Sequence, residues 1–173
     1  MADQDKLDGV YMGSAILQAG LSRAIRAKVG AVLVTKQGVV LTGYNGTARG
    51  QDNDCEIKEY MSRDAGGWLN PDEVAERWPL IEYDKMVESN RRYRLVTKYD
   101  VIHAELNCVL KAAREGVSCV DGTVYVTMSP CEHCAALLVQ VGVSRVVYKD
   151  DYRDDAGITF LRRSGINVEQ HKE

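Results

Sequence analysis

Long apolar runs, a basic excess and a disulfide-like cysteine pattern are all missing from this chain of 173 residues. Each absence removes a class of function. No apolar stretch approaches the ~20 residues of a bilayer span, and the opening MADQDKLDGV has no signal-peptide core, so no membrane partner is expected and the cytoplasm is the expected compartment. Lys and Arg number 22 against 25 Asp and Glu, a net charge of −3. That balance argues against the broad basic face that duplex DNA or structured RNA selects, while leaving room for a local pocket for one phosphate. Cys55, Cys108, Cys119, Cys131 and Cys134 are an odd set without framework spacing, so metal binding or burial is the better expectation.

What is present is ordinary globular composition, 45% hydrophobic and 27% charged, enough for one domain with its own core across 1–173. Neither internal repeat nor linker is visible. Residues 7–28 place Leu7, Val10, Tyr11, Ser14, Ile16, Leu17, Leu21 and Ile25 near a helical period. VGAVLVT reads as a buried strand, KQG as a turn, and VVLTGYN as the antiparallel partner. Residues 47–100 lose periodicity, with Gly66-Gly67, Pro71, Pro79 and both tryptophans, and are expected to be an insertion holding one or two short helices. Beyond them come a helix closed by Gly116, the strand GTVYVTM, a helix closed by Gly142, the strand VSRVVYK, a helix over 156–164 and an edge strand INVEQ. Strands joined through helices run parallel, so the expectation is an α/β three-layer α-β-α sandwich around a mixed five-stranded sheet.

Two helix starts carry the chemistry. In SPCEHCAALL, Cys131 and Cys134 sit three apart and can share a metal, with Pro130 suited to a helix start. In VIHAELNCVL, His103 and Glu105 are two apart, about 200° around a regular helix, so they face one centre only if His103 lies at an irregular start. His133, between the cysteines, points elsewhere. One nitrogen and two sulfurs make three zinc ligands, and a three-ligand site keeps a position for water, whereas structural zinc normally takes four. Two thiolates acidify that water less than three imidazoles would, so a nearby carboxylate is needed to take its proton, and Glu105 is placed for that. The competing readings are a redox C-x-x-C, or a structural site completed by His171 or Cys55.

His103, Glu105, Pro130, Cys131 and Cys134 match H-x-E…P-C-x-x-C, and the chain resembles the zinc-dependent cytidine/deoxycytidylate deaminase superfamily. The resemblance implies one catalytic zinc per chain, attack of water at C4 of cytosine, and a proton shuttle through Glu105. SRAIRAKVGAVLV and TGYNG look like the deoxycytidylate (dCMP) deaminases, especially phage and bacterial ones; a phage-encoded chain would work in the host cytoplasm. That likeness implies substrate contacts at Arg26, Asn45, Ala104, Tyr152 and Arg153, with the two arginines on the 5′-phosphate. It also implies a hexamer activated by dCTP with Mg²⁺ and inhibited by dTTP, through an effector site at Gly43, Tyr44, Asn45 and Gly46. Otherwise GYNG is only a tight turn at a strand end. Some phage relatives hold a second, structural zinc, but here the matching positions are Ala24, Asp54 and Val101, so one zinc is expected. Cys55, Cys108 and Cys119 then read as buried thiols.

Four alternatives stand beside this reading. A tRNA adenosine deaminase would need a basic face, and a free-nucleoside deaminase would have no use for Arg26 or GYNG. A non-catalytic zinc module would have no use for Glu105 beside an open zinc position. An activity on dCTP, alone or beside dCMP, is open.

Overall fold

A computed structural model describes residues 3–62 and 69–172. Its centre is a five-stranded sheet in the order β10-β9-β8-β1-β2. The strands are β1 Gly30–Val34, β2 Val40–Tyr44, β8 Thr123–Met128, β9 Arg145–Asp150 and β10 Asn167–Gln170. β1 pairs antiparallel with both β2 and β8, while β8, β9 and β10 run parallel, which makes the sheet mixed.

Alternation along the strands splits the core into two layers. Ala31 and Leu33 of β1, with Val124, Val126 and Val146, face helices α3 Ala104–Arg114, α4 Glu132–Gln140 and α5 Ala156–Arg163. Val32, Tyr125 and Val147 face α1 Gln4–Ala19 on the other side. Gly116 and Gly142 follow α3 and α4 with φ of 67° and 78°, the left-handed stops expected there.

The first helix differs from its sequence pattern. It spans Gln4–Ala19 and turns Asp8, Met12 and Ala15 inward. Val10, Leu17, Leu21 and Ile25 are exposed instead. The buried Asp8 accounts for the difference, because a charge is not expected on an inward face. Arg145 donates to both its carboxylate oxygens, at 2.8 and 2.6 Å, and Tyr125 donates its hydroxyl at 2.8 Å. Paired this way, Asp8 is tolerated where apolar periodicity alone would exclude it. Residues 21–29 are not helical and lead into β1 as an irregular loop.

The insertion also differs. Among its described residues it holds one short helix, α2 Pro71–Arg77, begun by an Asn70–Glu73 capping box, but the main element there is a sheet ordered β4-β6-β5. These strands are β4 Glu56–Tyr60, β5 Leu80–Asp84 and β6 Ser89–Thr97, all antiparallel. Arg91–Asp84 at 2.9 Å, Arg94–Glu59 at 2.6 Å and a Lys58–Glu82 pair cross the strands, and Arg91 lies over the Tyr60 ring. Such strands carry no clean apolar alternation, so periodicity missed them. A two-residue ladder, β3 Gly46–Thr47 with β7 Val101–Ile102, ties the insertion's ends together. Gly66 and Gly67 lie outside the described residues.

Candidate active site

The ladder β3–β7 delivers the chain directly to His103, and β8 delivers it to Pro130 and Cys131. His103 and Cys131 are the N-caps of α3 and α4, both extended, with φ, ψ of −67°, 156° and −68°, 167°. Neither side chain caps its own helix, so both are free to turn toward each other. His103 is therefore at an irregular helix start, as its spacing from Glu105 requires. Gly43 makes this packing close: a Cβ there would lie 2.5 Å from the Ala104 carbonyl oxygen, so only glycine lets β2 approach the start of α3.

The Nδ1 atom of His103 lies 3.6 Å from Cys131 Sγ and 3.4 Å from Cys134 Sγ. Zinc bonds of about 2.3 Å to sulfur and 2.0–2.1 Å to nitrogen at a tetrahedral angle put N and S about 3.6 Å apart. The donor set and its spacing both fit zinc. Among the described residues, this is the one group of three or more metal-binding side chains, with all donor atoms within 4.8 Å of one another. Hydrogen bonds from Cys134 and His103 pull the Cys131 thiol down to about 3. Donating to Cys131, together with burial, pushes Cys134 up. A bound zinc takes both as thiolates.

Glu105, in the first turn of α3, is 4% exposed. Burial raises its pKa, opposed by its own main-chain N–H and by His103. A carboxyl poised this way, beside an acidified water, can accept a proton and return it.

The triad opens onto a cleft of about 180 Å³. Of the residues expected from sequence, Arg26, Asn45, Ala104 and Tyr152 line it with His103, Glu105 and Cys131. Arg153 is not among the lining residues. Its guanidinium lies 5.1 Å from the Tyr152 ring centre and 3.4 Å from Asp154, and its side chain is 75% exposed. Tyr152 is held at the wall by its main-chain N–H, which donates to the buried Ser129 hydroxyl at 2.7 Å. Asn45 has both ends of its amide engaged: Oδ1 accepts from the Val29 N–H and Nδ2 donates to the Ala27 carbonyl, each at 2.8 Å. It thus pins the loop that carries Arg26. Gly43, Tyr44 and Gly46 are not among the lining residues, and the Tyr44 carbonyl accepts from Asn107 at 2.8 Å.

Sequence reasoning missed Glu56, Thr97 and Ser129, all in the cleft wall. Ser129 sits two residues before Cys131 in the SPC segment, and that place was the available signal. Glu56 and Thr97 come from the aperiodic insertion and left none. Cys55, Cys108 and Cys119 are buried thiols. Of the positions matching the second zinc of some relatives, Ala24 is buried, Asp54 is exposed and Val101 lines the cleft.

Comparison with known proteins agrees with this geometry. A family model described as the cytidine and deoxycytidylate deaminase zinc-binding region matches residues 5–150. Deoxycytidylate deaminase of Enterobacteria phage T4 is 33% identical over 165 residues, covering 85% of this chain and 80% of that protein. The Saccharomyces cerevisiae deoxycytidylate deaminase is 32% identical over 164 residues, covering 94% of this chain and 44% of that one. The crystal structure of dCMP deaminase from the cyanophage S-TIM5 in complex with dCMP and dUMP superposes with a TM-score of 0.71 at 29% identity, over 95% of this chain and 96% of that one. Zinc-ligand geometry and sequence match together place the chain in the cytidine and deoxycytidylate deaminase family.

Proposed function

We propose that the protein converts dCMP and water to dUMP and ammonia. The observation that carries this reading is the buried Glu105 carboxyl beside a His-Cys-Cys triad, on a cleft whose other wall presents Arg26. His103, Cys131 and Cys134 would hold zinc, which supplies a Lewis acid able to acidify water at neutral pH. Glu105 takes the proton of the attacking water and gives it to N3 of the cytosine as oxygen bonds to C4. It then carries the second proton to the departing amine, and loss of ammonia leaves uracil. The main chain at Ala104 and the ring of Tyr152 confine the base, and Asn45 holds the adjoining loop. Arg26 meets the 5′-phosphate, with Arg153 behind Tyr152 as a second cation for a group carrying nearly two charges.

Regulation is part of the same proposal: dCTP with Mg²⁺ activates and dTTP inhibits, through Gly43, Tyr44, Asn45 and Gly46 in a hexamer acting in the cytoplasm. Asn45 supports this, since it belongs both to that segment and to the cleft wall. Among the described residues no helix is long and apolar enough to cross a membrane. Ammonia release from dCMP, CMP, dCTP and deoxycytidine, each with and without added dCTP, tests the whole reading. Turnover should be greatest on dCMP, and dCTP should lower its half-saturation several-fold, as couplings of about 1–3 kcal/mol do. Preference for dCTP as substrate would replace the substrate assignment, and a flat response to dCTP and dTTP would remove the regulatory one.

A further inference from the structure

The loop that carries Arg26 has no ladder of its own. Residues 22–29 form neither helix nor strand, and Ile25 is 74% exposed. The main-chain direction there is set by borrowed partners. From the body of the fold, Ser22 donates to the Asn45 carbonyl, and Asn45 grips residues 27 and 29. At Arg26 itself the partner comes from the insertion. Glu56 Oε1 accepts the N–H groups of Ile25 at 3.0 Å and of Arg26 at 3.1 Å, and Oε2 shares the first at 3.2 Å. The Arg26 guanidinium donates through Nη1 to Thr97 Oγ1 at 3.1 Å.

Both contacts arise from one rung of the insertion's sheet. Glu56 begins β4, Thr97 ends β6, and the two are paired in register. The Lys98 N–H, donating to the Cys55 carbonyl at 2.9 Å, continues the pairing past them, and Lys98 is ion-paired with Asp52 at 2.7 Å. Main chain and side chain of one arginine are therefore held against a single paired rung.

A bare carboxylate in the wall of a cleft that takes a phosphate dianion would work against binding. Glu56 is not bare, because two main-chain N–H groups are directed at it. It does not form an ion pair with Arg26, whose guanidinium is spent on a neutral hydroxyl and keeps its charge for a ligand.

We propose that Glu56 is a positioning residue for phosphate recognition: by holding the N–H groups of Ile25 and Arg26 it aims the Arg26 guanidinium into the cleft. Through it, the insertion sets the monophosphate preference of the site. This rests on the reading of Arg26 as the phosphate contact.

The test uses the zinc-loaded full-length protein, with kcat and KM for dCMP and for deoxycytidine measured in the parent, Glu56→Ala, Glu56→Gln, Arg26→Ala and the Glu56→Ala/Arg26→Ala double variant. Loss of a charge-assisted pair of hydrogen bonds at a partly exposed site should lower kcat/KM for dCMP about tenfold, mainly through KM, and alter deoxycytidine far less. Glu56→Gln keeps one oxygen able to accept both N–H groups and should stay close to the parent. In the Arg26→Ala background, Glu56→Ala should add almost nothing. Equal losses on both substrates, or full additivity with Arg26→Ala, would overturn the proposal. Should Arg26→Ala fail to discriminate the substrates, the phosphate assignment falls and the proposal with it; if Arg26→Ala discriminates and Glu56→Ala does not, the proposal alone falls. If Glu56→Ala folds poorly, hydrogen exchange in Glu56→Gln decides: the Ile25 and Arg26 amides should keep their protection, and parent-protein amides that exchange freely would refute the clamp.

Discussion

Replacing Glu105 by Gln separates proton transfer from binding and folding. The side chain is 4% exposed, in the first turn of α3, where burial holds its pKa up. The amide has the same shape, so no cavity forms. Being neutral, it also relieves the cost of keeping a charge away from water. Stability should therefore stay level or rise slightly, and zinc should stay at about one per chain because His103, Cys131 and Cys134 are untouched. Turnover should collapse. A positioned acid–base group typically contributes about 10²–10⁴-fold. In the proposed mechanism one residue serves the water, N3 and the leaving amine, and the cleft's other carboxylate, Glu56, already holds two N–H groups. A loss of at least about 10⁴-fold is expected, roughly 5.5 kcal/mol of barrier at 1.36 kcal/mol per tenfold. Ammonia release from saturating dCMP gives the rate, elemental analysis the zinc, and calorimetry the nucleotide affinity. Turnover within tenfold of the parent, with zinc and binding intact, would refute the role given to Glu105.

Three further outcomes follow from the same geometry. Ala at His103, Cys131 or Cys134 should each abolish stoichiometric zinc, measured by elemental analysis against about one zinc per chain in the parent; two in the parent would contradict the reading of Ala24, Asp54 and Val101. Tyr152→Ala should raise KM for dCMP while leaving zinc content unchanged, because Tyr152 lines the cleft and is not one of the three metal-binding side chains. Arg145 holds the Asp8 carboxyl down to about 2 from 3.8, so its stabilisation is complete above about pH 4 and is lost as pH falls toward 2. Urea unfolding of Asp8→Asn should show a deficit of about 2 kcal/mol at pH 7 that shrinks toward zero near pH 2.

The core and the reactive centre were legible because their signals are local. Short apolar runs, AVLV, VYV and VVY, marked β1, β8 and β9, glycines marked the ends of α3 and α4, and H-x-E with P-C-x-x-C marked two helix starts. Backbone geometry then does what the spacing requires, by putting His103 and Cys131 at equivalent cap positions. What was not legible depends on partners distant in sequence. Asp8 is buried because Arg145 reaches it from the start of β9. Arg26 has its direction from Glu56 and Thr97, residues held in strands stabilised by cross-strand charge pairs instead of an apolar face. No window along the chain contains both members of those pairs.

The two walls of the cleft therefore differ in origin, and this bears on how function is divided. The reactive wall is made by the starts of α3 and α4, which are packed on the central sheet through residues that are almost wholly buried, Ala104, Cys108, Cys134 and Ala135 among them. Shifting any of these would move the metal ligands relative to Glu105, and chemistry tolerates little of that. The recognition wall is made by exposed or half-exposed segments: the loop at Arg26, the Glu56–Thr97 rung and the Tyr152 turn. The Arg26 loop and the Tyr152 turn are held there by hydrogen bonds to the side chains of Glu56, Thr97, Asn45 and Ser129. On the proposed reading, a change there should alter which nucleotide is held while the geometry of the helix starts stays fixed. On that reading, deamination would belong to the buried helix starts, and preference among cytosine nucleotides to the insertion and the loop it holds.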